Sequence, residues 1–418
     1  MGNVYKSGCY HTRPIQWIGQ SRDGVFRPYK AADVEHDAAV LESVLKRIGV
    51  PDAKVENISQ GLSVTVFKVS LKSASTDIYN FDALETCIAA HMNAKSVRIV
   101  DPRNARLEIW IEISNENHNM LYLGDVANDP GFSHSAPLDI CAGEDVFGRL
   151  VNIDIARVPH LLIAGSSGTG KTAFINSMLV NILCKESPAN VKMILFDPKV
   201  VEYEAYNELP HLLMPVITDG KTAVGALKWA VSESKRRCEL IDKRGVRDIN
   251  GYNSFVDVET LPLILIVIDE LLDLMMIARD DVEKQIMELI PMARKAGIHL
   301  VISTQRPTKD VITDAIDKSI TGRIAFVVMN KNDSEVILHR SGAEKLLGQG
   351  DMLYFSMLSP RPVRIQGAFV PEHNIVSVTE HIKTHNNGGY DESVVEAVGK
   401  FAKEKLSGRN SGFDDGFL

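Results

Sequence analysis

Apolar residues recur at two different spacings along the chain, and the spacing changes near residue 138. In the first part they repeat on one helical face, which predicts a helix that Gly49 ends; the repeated positions are Val40, Leu41, Val44, Leu45 and Ile48. A second helix is predicted from Phe81, Leu84, Ile88 and Met92. The stretch 64–71 and the alternating residues 107–113 predict strands. Residues 31–124 are therefore predicted to form a small α+β domain.

Beyond residue 138, short and wholly apolar runs replace the alternating pattern. Buried strands are predicted at 161–164, 193–196, 263–268, 300–303 and 324–328, with helices between them. This order is typical of an α/β domain with a largely parallel sheet. We assign this domain to residues 138–385, after a linker at 125–137 that is rich in turn residues. Residues 1–30 are interpreted as a leader arm, and 386–418 as a tail with one helix and an acidic terminus.

Composition and charge narrow the function classes only slightly. The 418 residues carry a net charge of −8, which leaves room for a basic groove or pore on an otherwise acidic surface. The five cysteines form no C-x-x-C pair, so neither a zinc site nor a disulfide framework is predicted. No apolar run approaches the ~20 residues that cross a bilayer, and no signal-peptide core begins the chain, so we expect a cytoplasmic protein.

One motif carries the strongest chemical signal, because it fits G-x-x-x-x-G-K-[ST] between a predicted strand at 160–164 and a predicted helix at 173–183. Its residues are Gly165, Ser166, Ser167, Gly168, Thr169, Gly170, Lys171 and Thr172. Glycines allow successive backbone N–H groups to point at phosphate oxygens. Lys171 is expected to reach the β- and γ-phosphates, and Thr172 to bind Mg²⁺. The motif predicts a site for a nucleoside triphosphate, with ATP expected.

Two carboxylates follow the apolar run 263–268 directly. Asp269 is expected to hold Mg²⁺ through water, and Glu270 to polarise the attacking water as general base. Such a pair often only caps a helix, but its position about a hundred residues after the phosphate loop favours a catalytic role.

Three further positions have both a functional and a structural interpretation. Gln305, at the end of the strand 299–303, is a candidate sensor of the γ-phosphate or part of a simple turn. Arg294 is either a solvated charge at a helix end or an arginine finger for the neighbouring subunit's ATP. The sequence 197–199 (Asp-Pro-Lys) helps to build the site or only turns the chain.

A basic cluster between 235 and 247 falls in one predicted helical stretch after Trp229. It is interpreted either as a solvated helix face or as a surface for DNA or another subunit; the residues are Lys235, Arg236, Arg237, Lys243, Arg244 and Arg247.

The chain resembles the motor of the FtsK/SpoIIIE family of bacterial DNA translocases over roughly residues 31–383. Segments in register carry the resemblance, at 160–172, 197–199, 209–213, 245–252, 269–270, 293–299, 304–307, 310–313, 323–326, 342–353 and 367–370. It implies a RecA-like P-loop NTPase domain that works as a hexameric ring around double-stranded DNA. It also places the trans-acting finger at Arg294 and DNA-facing loops near Arg306, Lys318 and Lys331.

The sequence departs from the family pattern in its domains and at two of the expected DNA contacts. No N-terminal membrane domain is evident, and only something like the first helix of the DNA-reading γ domain is present, at 390–405. Glu335 stands where the family usually has arginine and Asp317 where it usually has lysine, which is expected to weaken the grip on DNA. The end at 414–418 is either a docking peptide for a protein partner or a disordered terminus.

The function predicted from the sequence is an ATP-driven double-stranded DNA translocase. The alternatives are a polypeptide-secretion or conjugation-coupling ATPase with the same motor, and a DNA-binding ring that cycles slowly without moving. ATP hydrolysis by a DNA translocase would respond to duplex DNA, whereas hydrolysis by a secretion or coupling ATPase would respond to a protein substrate.

Overall fold

The computed structural model describes residues 31–71, 81–101, 108–127, 136–357, 359–386 and 389–404. The predicted leader arm at 1–30, residues 128–135 of the predicted linker and the acidic end at 414–418 lie outside the described residues. Within these ranges, no helix is both long and apolar enough to cross a membrane.

The helices, in chain order, are α1 (Ala31–Arg47), α2 (Phe81–Met92), α3 (Leu123–Val126), α4 (Lys171–Lys185), α5 (Gly220–Lys243), α6 (Ile249–Asn253), α7 (Leu271–Ala296), α8 (Asp314–Ser319), α9 (Lys331–Leu338), α10 (Glu372–His385) and α11 (Glu392–Ala402). The strands are β1 (Lys54–Gln60), β2 (Val64–Ser70), β3 (Val97–Val100), β4 (Glu108–Ser114), β5 (Leu121–Tyr122), β6 (Asp139–Asp145), β7 (Leu150–Asp154), β8 (His160–Ala164), β9 (Val191–Phe196), β10 (Leu263–Ile268), β11 (Ile298–Thr304), β12 (Gly322–Ala325), β13 (Asp351–Phe355) and β14 (Val363–Phe369).

The first strands form a small antiparallel sheet with the order β1-β2-β4-β3. Its apolar face packs against α1 and α2 around a separate core that includes Leu41, Ile88 and Ile111. Alternate residues of β4 point to the opposite face, where Trp110 meets Phe147 edge-on with ring centroids 5.2 Å apart. The small domain therefore has its own core and turns a mixed face toward the rest of the chain.

The second sheet has the order β7-β6-β14-β13-β12-β8-β11-β10-β9, with β5 beside β14. Its five strands β12, β8, β11, β10 and β9 are parallel, and their apolar runs are buried on both faces. The remaining strands β13, β14, β6 and β7 form an antiparallel wing. The α/β fold class is confirmed, and the sheet is mixed because this wing continues the parallel strands.

Most predicted elements are confirmed, with shifted ends. The helix predicted at 173–183 begins two residues earlier, at Lys171, and the strand predicted at 324–328 is instead Gly322–Ala325. That strand ends where the backbone turns to the phosphate loop, since Ser166 N donates to Val327 O at 2.9 Å. Seven strands were not predicted, most of them because polar residues break their apolar pattern: β1, β3, β5, β6, β7, β13 and β14.

The basic cluster at 235–247 does not form one solvated helix face, so that interpretation was wrong for part of it. Arg237 is 2% exposed and donates to the carbonyl oxygens of Pro262 and Ala296, while Arg247 lies beyond the end of α5. The tail helix α11 packs on the larger domain: Val394 and Val398 belong to the core that α5 and α7 share.

Candidate nucleotide-binding site

The phosphate loop connects β8 to α4 at the carboxyl edge of the parallel strands. Gly165 and Gly170 have φ angles of 154° and 115°, which side-chain-bearing residues rarely adopt. A Cβ on Gly165 would lie 2.7 Å from Phe326 Cβ, and one on Gly170 would lie 2.8 Å from Gly350 N. The glycines are therefore required both by the turn and by close approach of the neighbouring backbone.

Neighbouring segments brace this loop on both sides. Gly165 N donates to Thr304 O at 3.4 Å on the β11 side. On the wing side, Gly350 N donates to Thr169 O at 3.1 Å. The loop is thereby fixed between β11 and the segment that leads into the antiparallel wing.

Lys171 lies beneath the loop and is 4% exposed. Its Nζ donates to Gly165 O at 2.6 Å and to Ser166 O at 2.7 Å. Burial lowers the pKa of Lys171 to about 8, although the carboxylates of Glu270 and Asp269 act in the opposite direction. An ammonium that is desolvated in this way gains most when a phosphate approaches it.

Asp269 and Glu270 follow β10, two strands away from β8. Burial raises the pKa of Asp269 to about 6, and the positive charge of Lys199 opposes that rise. Asp269 Oδ1 accepts a long hydrogen bond of 3.4 Å from the hydroxyl of Tyr203, whose pKa burial holds well above its usual value. The carboxylate is thus buried, weakly partnered and close to the phosphate loop.

Glu270 has the capping role that the sequence left open, and its other contacts orient its carboxylate toward the candidate site. It caps α7, because its Oε1 accepts from Leu272 N at 3.3 Å. The same oxygen accepts from Thr304 Oγ1 at 2.6 Å, and Oε2 accepts from Gln305 N at 3.0 Å. A carboxylate held by three donors keeps lone pairs for a water molecule, so the cap also fixes the orientation of the candidate general base.

Thr304 is a site residue that sequence reasoning missed. Gln305 reaches Glu270 only through its backbone N–H, and its side chain is half-buried without a hydrogen bond to any described residue. The signal for Thr304 was a hydroxyl at the last position of β11, next to the strand that carries the acids. Only the parallel pairing of β11 with β10 shows that this hydroxyl meets Glu270.

Arg294 lies on the last turn of α7 and is exposed, and no described residue accepts a hydrogen bond from it. Arg294 shortly precedes β11, which runs from Ile298 to Thr304 beside Glu270. Seven extended residues span roughly 20 Å, so Arg294 lies near the opposite edge of the sheet from the phosphate loop. It therefore lies too far away to serve the site of its own chain.

The three candidate DNA contacts are exposed but differ in their surroundings. Arg306 follows the turn after β11, and Lys318 lies on the last turn of α8. Lys331 begins α9, where its Nζ pairs with Asp82 of the small domain at 3.2 Å. Exposed pairs of this kind are worth about 0–1 kcal/mol, so Lys331 is readily available for another partner.

The two departures from the family pattern have different environments. Asp317 accepts from the buried guanidinium of Arg323 at 2.6 Å, so it stabilises the end of α8. Glu335 is exposed on α9.

A cavity of about 290 Å³ opens beside the phosphate loop and was not predicted. Its walls are mostly apolar or backbone: Met120, Gly168, Gly170, Ala173, Phe174, Gln349, Gly350, Gln366, Gly367, Ala368 and Phe369. A wider cavity of about 1280 Å³ lies at the opposite edge, where Lys192 and Ile264 begin their strands. The smaller cavity borders Gly168 and Gly170 of the glycine loop, at the edge of the sheet where phosphates are commonly bound.

The residues at this edge fit a magnesium ion. Thr172 and Asp269 supply the hard oxygen donors that Mg²⁺ prefers, and Mg²⁺ is commonly held by one or two such groups together with phosphates. Among the described residues, no group of three or more His, Cys, Asp or Glu side chains could hold a metal ion by itself. The donor set therefore suits a metal that arrives with a nucleotide.

Comparison with known proteins gives two matching families. The profile of the FtsK/SpoIIIE family matches residues 123–309, and that of the FtsK alpha domain matches residues 16–115. The chain is 45% identical over 374 residues to the DNA translocase FtsK of Caldanaerobacter subterraneus subsp. tengcongensis, covering 89% of this chain and 52% of that protein. It is 42% identical over 356 residues to the DNA translocase SftA of Bacillus subtilis, covering 84% and 37%. The chain thus spans about half the length of the first of these relatives, and less of the second.

Solved structures give the same fold at lower identity. The pCW3 conjugation coupling protein TcpA aligns with a TM-score of 0.60 and 21% identity, over 84% of this chain and 99% of that one. The cytoplasmic domain of the Type VII secretion ATPase EccC from Thermomonospora curvata aligns with a TM-score of 0.57 and 20% identity, over 65% and 35%. At such identities the likeness concerns the fold alone.

Proposed function

Because this chain belongs to the FtsK/SpoIIIE family, we propose that it is an ATP-driven motor that moves double-stranded DNA through a hexameric ring. The observation that carries the proposal is the carboxyl edge of the sheet, where a glycine loop with a buried lysine lies beside two oriented carboxylates. The relatives named as DNA translocases supply the substrate class. A cytoplasmic location is part of the same proposal.

The residues of one subunit have separate roles in binding and hydrolysing ATP. The backbone N–H groups of residues 165–172 and the N-terminus of α4 bind the phosphates, and Lys171 neutralises the β- and γ-phosphates. Thr172 and Asp269 would hold Mg²⁺, which would supply positive charge to offset that of the nucleotide. Glu270 polarises the attacking water, and Gln305 senses the γ-phosphate.

The site is completed by a second subunit. Arg294 lies at the far end of α7, so its guanidinium serves the ATP of a neighbour, where an arginine finger is worth roughly 10³–10⁵ in rate. Arg306, Lys318 and Lys331 then face the DNA phosphates and provide grip without reading sequence.

The fold also occurs in conjugation and secretion ATPases, but this does not favour either function here. Those alignments are near 20% identical, whereas the relatives above 40% identity are named as DNA translocases. A DNA-binding ring that does not move remains the second candidate, because Glu335 is exposed and adds negative charge near the proposed DNA contacts.

The test combines Glu270→Gln with Arg294→Ala. Linear duplex DNA at low salt should stimulate ATP hydrolysis by the wild-type protein, and each variant alone should be nearly inactive. An equimolar mixture should regain about a quarter of the wild-type rate, since one interface in four then combines an intact Glu270 with an intact Arg294.

Each failure has a separate meaning. A wild-type rate that ignores DNA would refute the DNA-dependent motor. A mixture as inactive as its components would refute the shared site while leaving the DNA dependence intact. If Glu270→Gln binds DNA no more tightly with ATP than without it, a ring that is locked on DNA by ATP is excluded.

A further inference from the structure

The loop that follows β9 is wrapped around one buried carboxylate. Asp197 is 1% exposed, and its two oxygens accept four backbone N–H groups at 2.8 to 3.1 Å. The donors belong to Lys199, Val201, Glu202 and Tyr203. Hydrogen bonds to an ionised acceptor are the strong ones, so Asp197 determines the path of residues 198–203.

The backbone of this loop is strained at Val200, which has a φ angle of 58°. A β-branched residue rarely adopts the left-handed region, so the surrounding bonds must hold it there. Strain of this kind persists only where the structure around it is over-determined, and it is concentrated at functional sites.

The loop lies directly beside the candidate metal ligand. Strands β9 and β10 are parallel, with Phe196 opposite Ile268, so Asp197 and Asp269 leave the sheet side by side. Tyr203 is the last residue whose N–H Asp197 accepts, and its side chain is completely buried. Its hydroxyl donates to Asp269 Oδ1 at 3.4 Å.

We propose that Asp197 and Tyr203 are positioning residues for Asp269, which hold its carboxylate in the orientation that binds the metal of a metal–nucleotide complex. Tyr203 occupies Oδ1, while Oδ2 has no hydrogen bond to a described residue. Asp197 acts one step further away, because it fixes the backbone that carries Tyr203. The inference rests on the proposed ATPase function and assigns a role to residues 197–203 within it.

Tyr206 provides a matched control within the same cluster. It is as completely buried as Tyr203, and the two rings meet edge-on with centroids 6.0 Å apart. Its hydroxyl donates to Asn176 Oδ1 at 2.7 Å, away from Asp269. Replacing either tyrosine by phenylalanine removes one buried hydroxyl from one aromatic pair, and only one replacement changes the partner of Asp269.

The experiment measures binding of a fluorescent ATP analogue to the full chain during a Mg²⁺ titration, for wild type, Tyr203→Phe and Tyr206→Phe. Tyr203→Phe should raise the half-saturating Mg²⁺ concentration about tenfold, the lower end of the range for outer partners of metal ligands, because the bond is long. Its binding of the analogue in EDTA should equal that of wild type. Tyr206→Phe should leave both quantities unchanged, while urea unfolding should report similar losses for the two variants.

The outcomes separate this inference from the proposed function. If wild type binds the analogue without any dependence on Mg²⁺, the proposed ATPase site fails and the inference fails with it. If wild type depends on Mg²⁺ but Tyr203→Phe behaves like Tyr206→Phe, only the inference is overturned.

Asp197→Asn tests whether Asp197 positions Asp269 by fixing the backbone that carries Tyr203. Its side chain keeps one acceptor oxygen and replaces the other by a donor, so the loop should loosen and the Mg²⁺ requirement should rise as in Tyr203→Phe. A folded Asp197→Asn protein with the wild-type Mg²⁺ requirement would remove Asp197 from the proposal. If this variant does not fold, the comparison of the two tyrosines still decides the role of Tyr203.

Discussion

Two neighbouring regions of this molecule bury charged groups in opposite circumstances. At the carboxyl edge of the parallel strands, burial pushes Lys171 and Asp269 toward their neutral forms, with pKa values of about 8 and about 6. In the antiparallel wing, Arg364 is 4% exposed and pairs with Asp351 at 2.7 Å and with Glu112 of the small domain at 2.8 Å. Burial alone would raise the pKa of Glu112, but Arg98 and Arg364 outweigh it and hold that pKa below its usual value.

The contrast distinguishes buried charges that a ligand would stabilise from buried charges that stabilise the fold. A buried group without an opposite charge in contact is stabilised by whatever charge a ligand brings, which is typical of a functional site. A buried group in a closed ion network has no such need, and the loss of one member leaves the others unpaired. The wing network also reaches the site, because Asp351 Oδ2 accepts from Leu347 N and so fixes the segment beside the phosphate loop.

The largest expected effect is at the carboxyl edge. Lys171→Ala should lower ATP hydrolysis by roughly a thousandfold, because the charge that faces the phosphates is lost. The free energy of unfolding should change little or increase, since a desolvated ammonium is removed from the interior. An ATPase assay and urea unfolding measure these two quantities, and a calorimetric titration measures the accompanying loss of nucleotide binding.

Lys185 is the control for this substitution, because it lies on the same helix and burial also lowers its pKa. Lys185→Ala should bind nucleotide normally. Equal losses of binding in the two variants would show that the helix, and not the charge of Lys171, is responsible.

Substitutions in the wing should lower the free energy of unfolding, unlike Lys171→Ala. Arg364→Ala should lower the free energy of unfolding by about 3–5 kcal/mol, because Asp351 and Glu112 would remain buried without a partner. Arg157→Ala serves as control, since Arg157 is exposed and its pair with the partly exposed Asp154 is worth about 0–1 kcal/mol. If urea unfolding gives similar small losses for both variants, the network is not the stabilising element that we infer.

The pH dependence of unfolding tests the same network. The pKa of Glu112 is lowered in the folded protein and is about 4.3 in an unfolded chain. Its contribution is therefore complete above about pH 4.3 and is lost as the pH falls through the lower folded value. The stability difference between wild type and Glu112→Gln should be largest near neutral pH and shrink below about pH 4; a difference that grows in acid would contradict the assignment.

The smallest expected effect concerns the orientation of Glu270. Thr304→Val removes the hydroxyl that donates to Glu270, and it should lower the hydrolysis rate about tenfold, as expected for a hydrogen bond to a charged group. Nucleotide affinity should be unchanged. The neighbouring Ser303 has a buried hydroxyl without a partner among the described residues, so Ser303→Ala should be neutral in both assays. A slower Ser303→Ala enzyme would mean that packing of β11, rather than the Thr304 bond, limits the rate.

Much of the parallel half could be predicted because its signals are local. A strand that is buried on both faces needs a continuous apolar run, and a phosphate loop needs glycines and a lysine at fixed spacing. The segments 160–172 and 263–270 can therefore be recognised from the sequence alone. The antiparallel wing was not predicted, since strands such as β13 and β14 carry buried charges that interrupt the apolar pattern. Arg364 looks like a surface residue until its partners in β4 and β13 are placed around it.

The sequence by itself determined the chemistry of this protein: the phosphate loop, the two acids after β10 and the family to which the chain belongs. Only the tertiary structure decided which groups act together. Strand pairing brings Thr304 to Glu270 and Tyr203 to Asp269, and β11 separates Arg294, which precedes it, from the site at its carboxyl end. The reason is that residue type and short spacing fix what a side chain can do, whereas its neighbours across a sheet are set by pairing between strands that are distant in the chain.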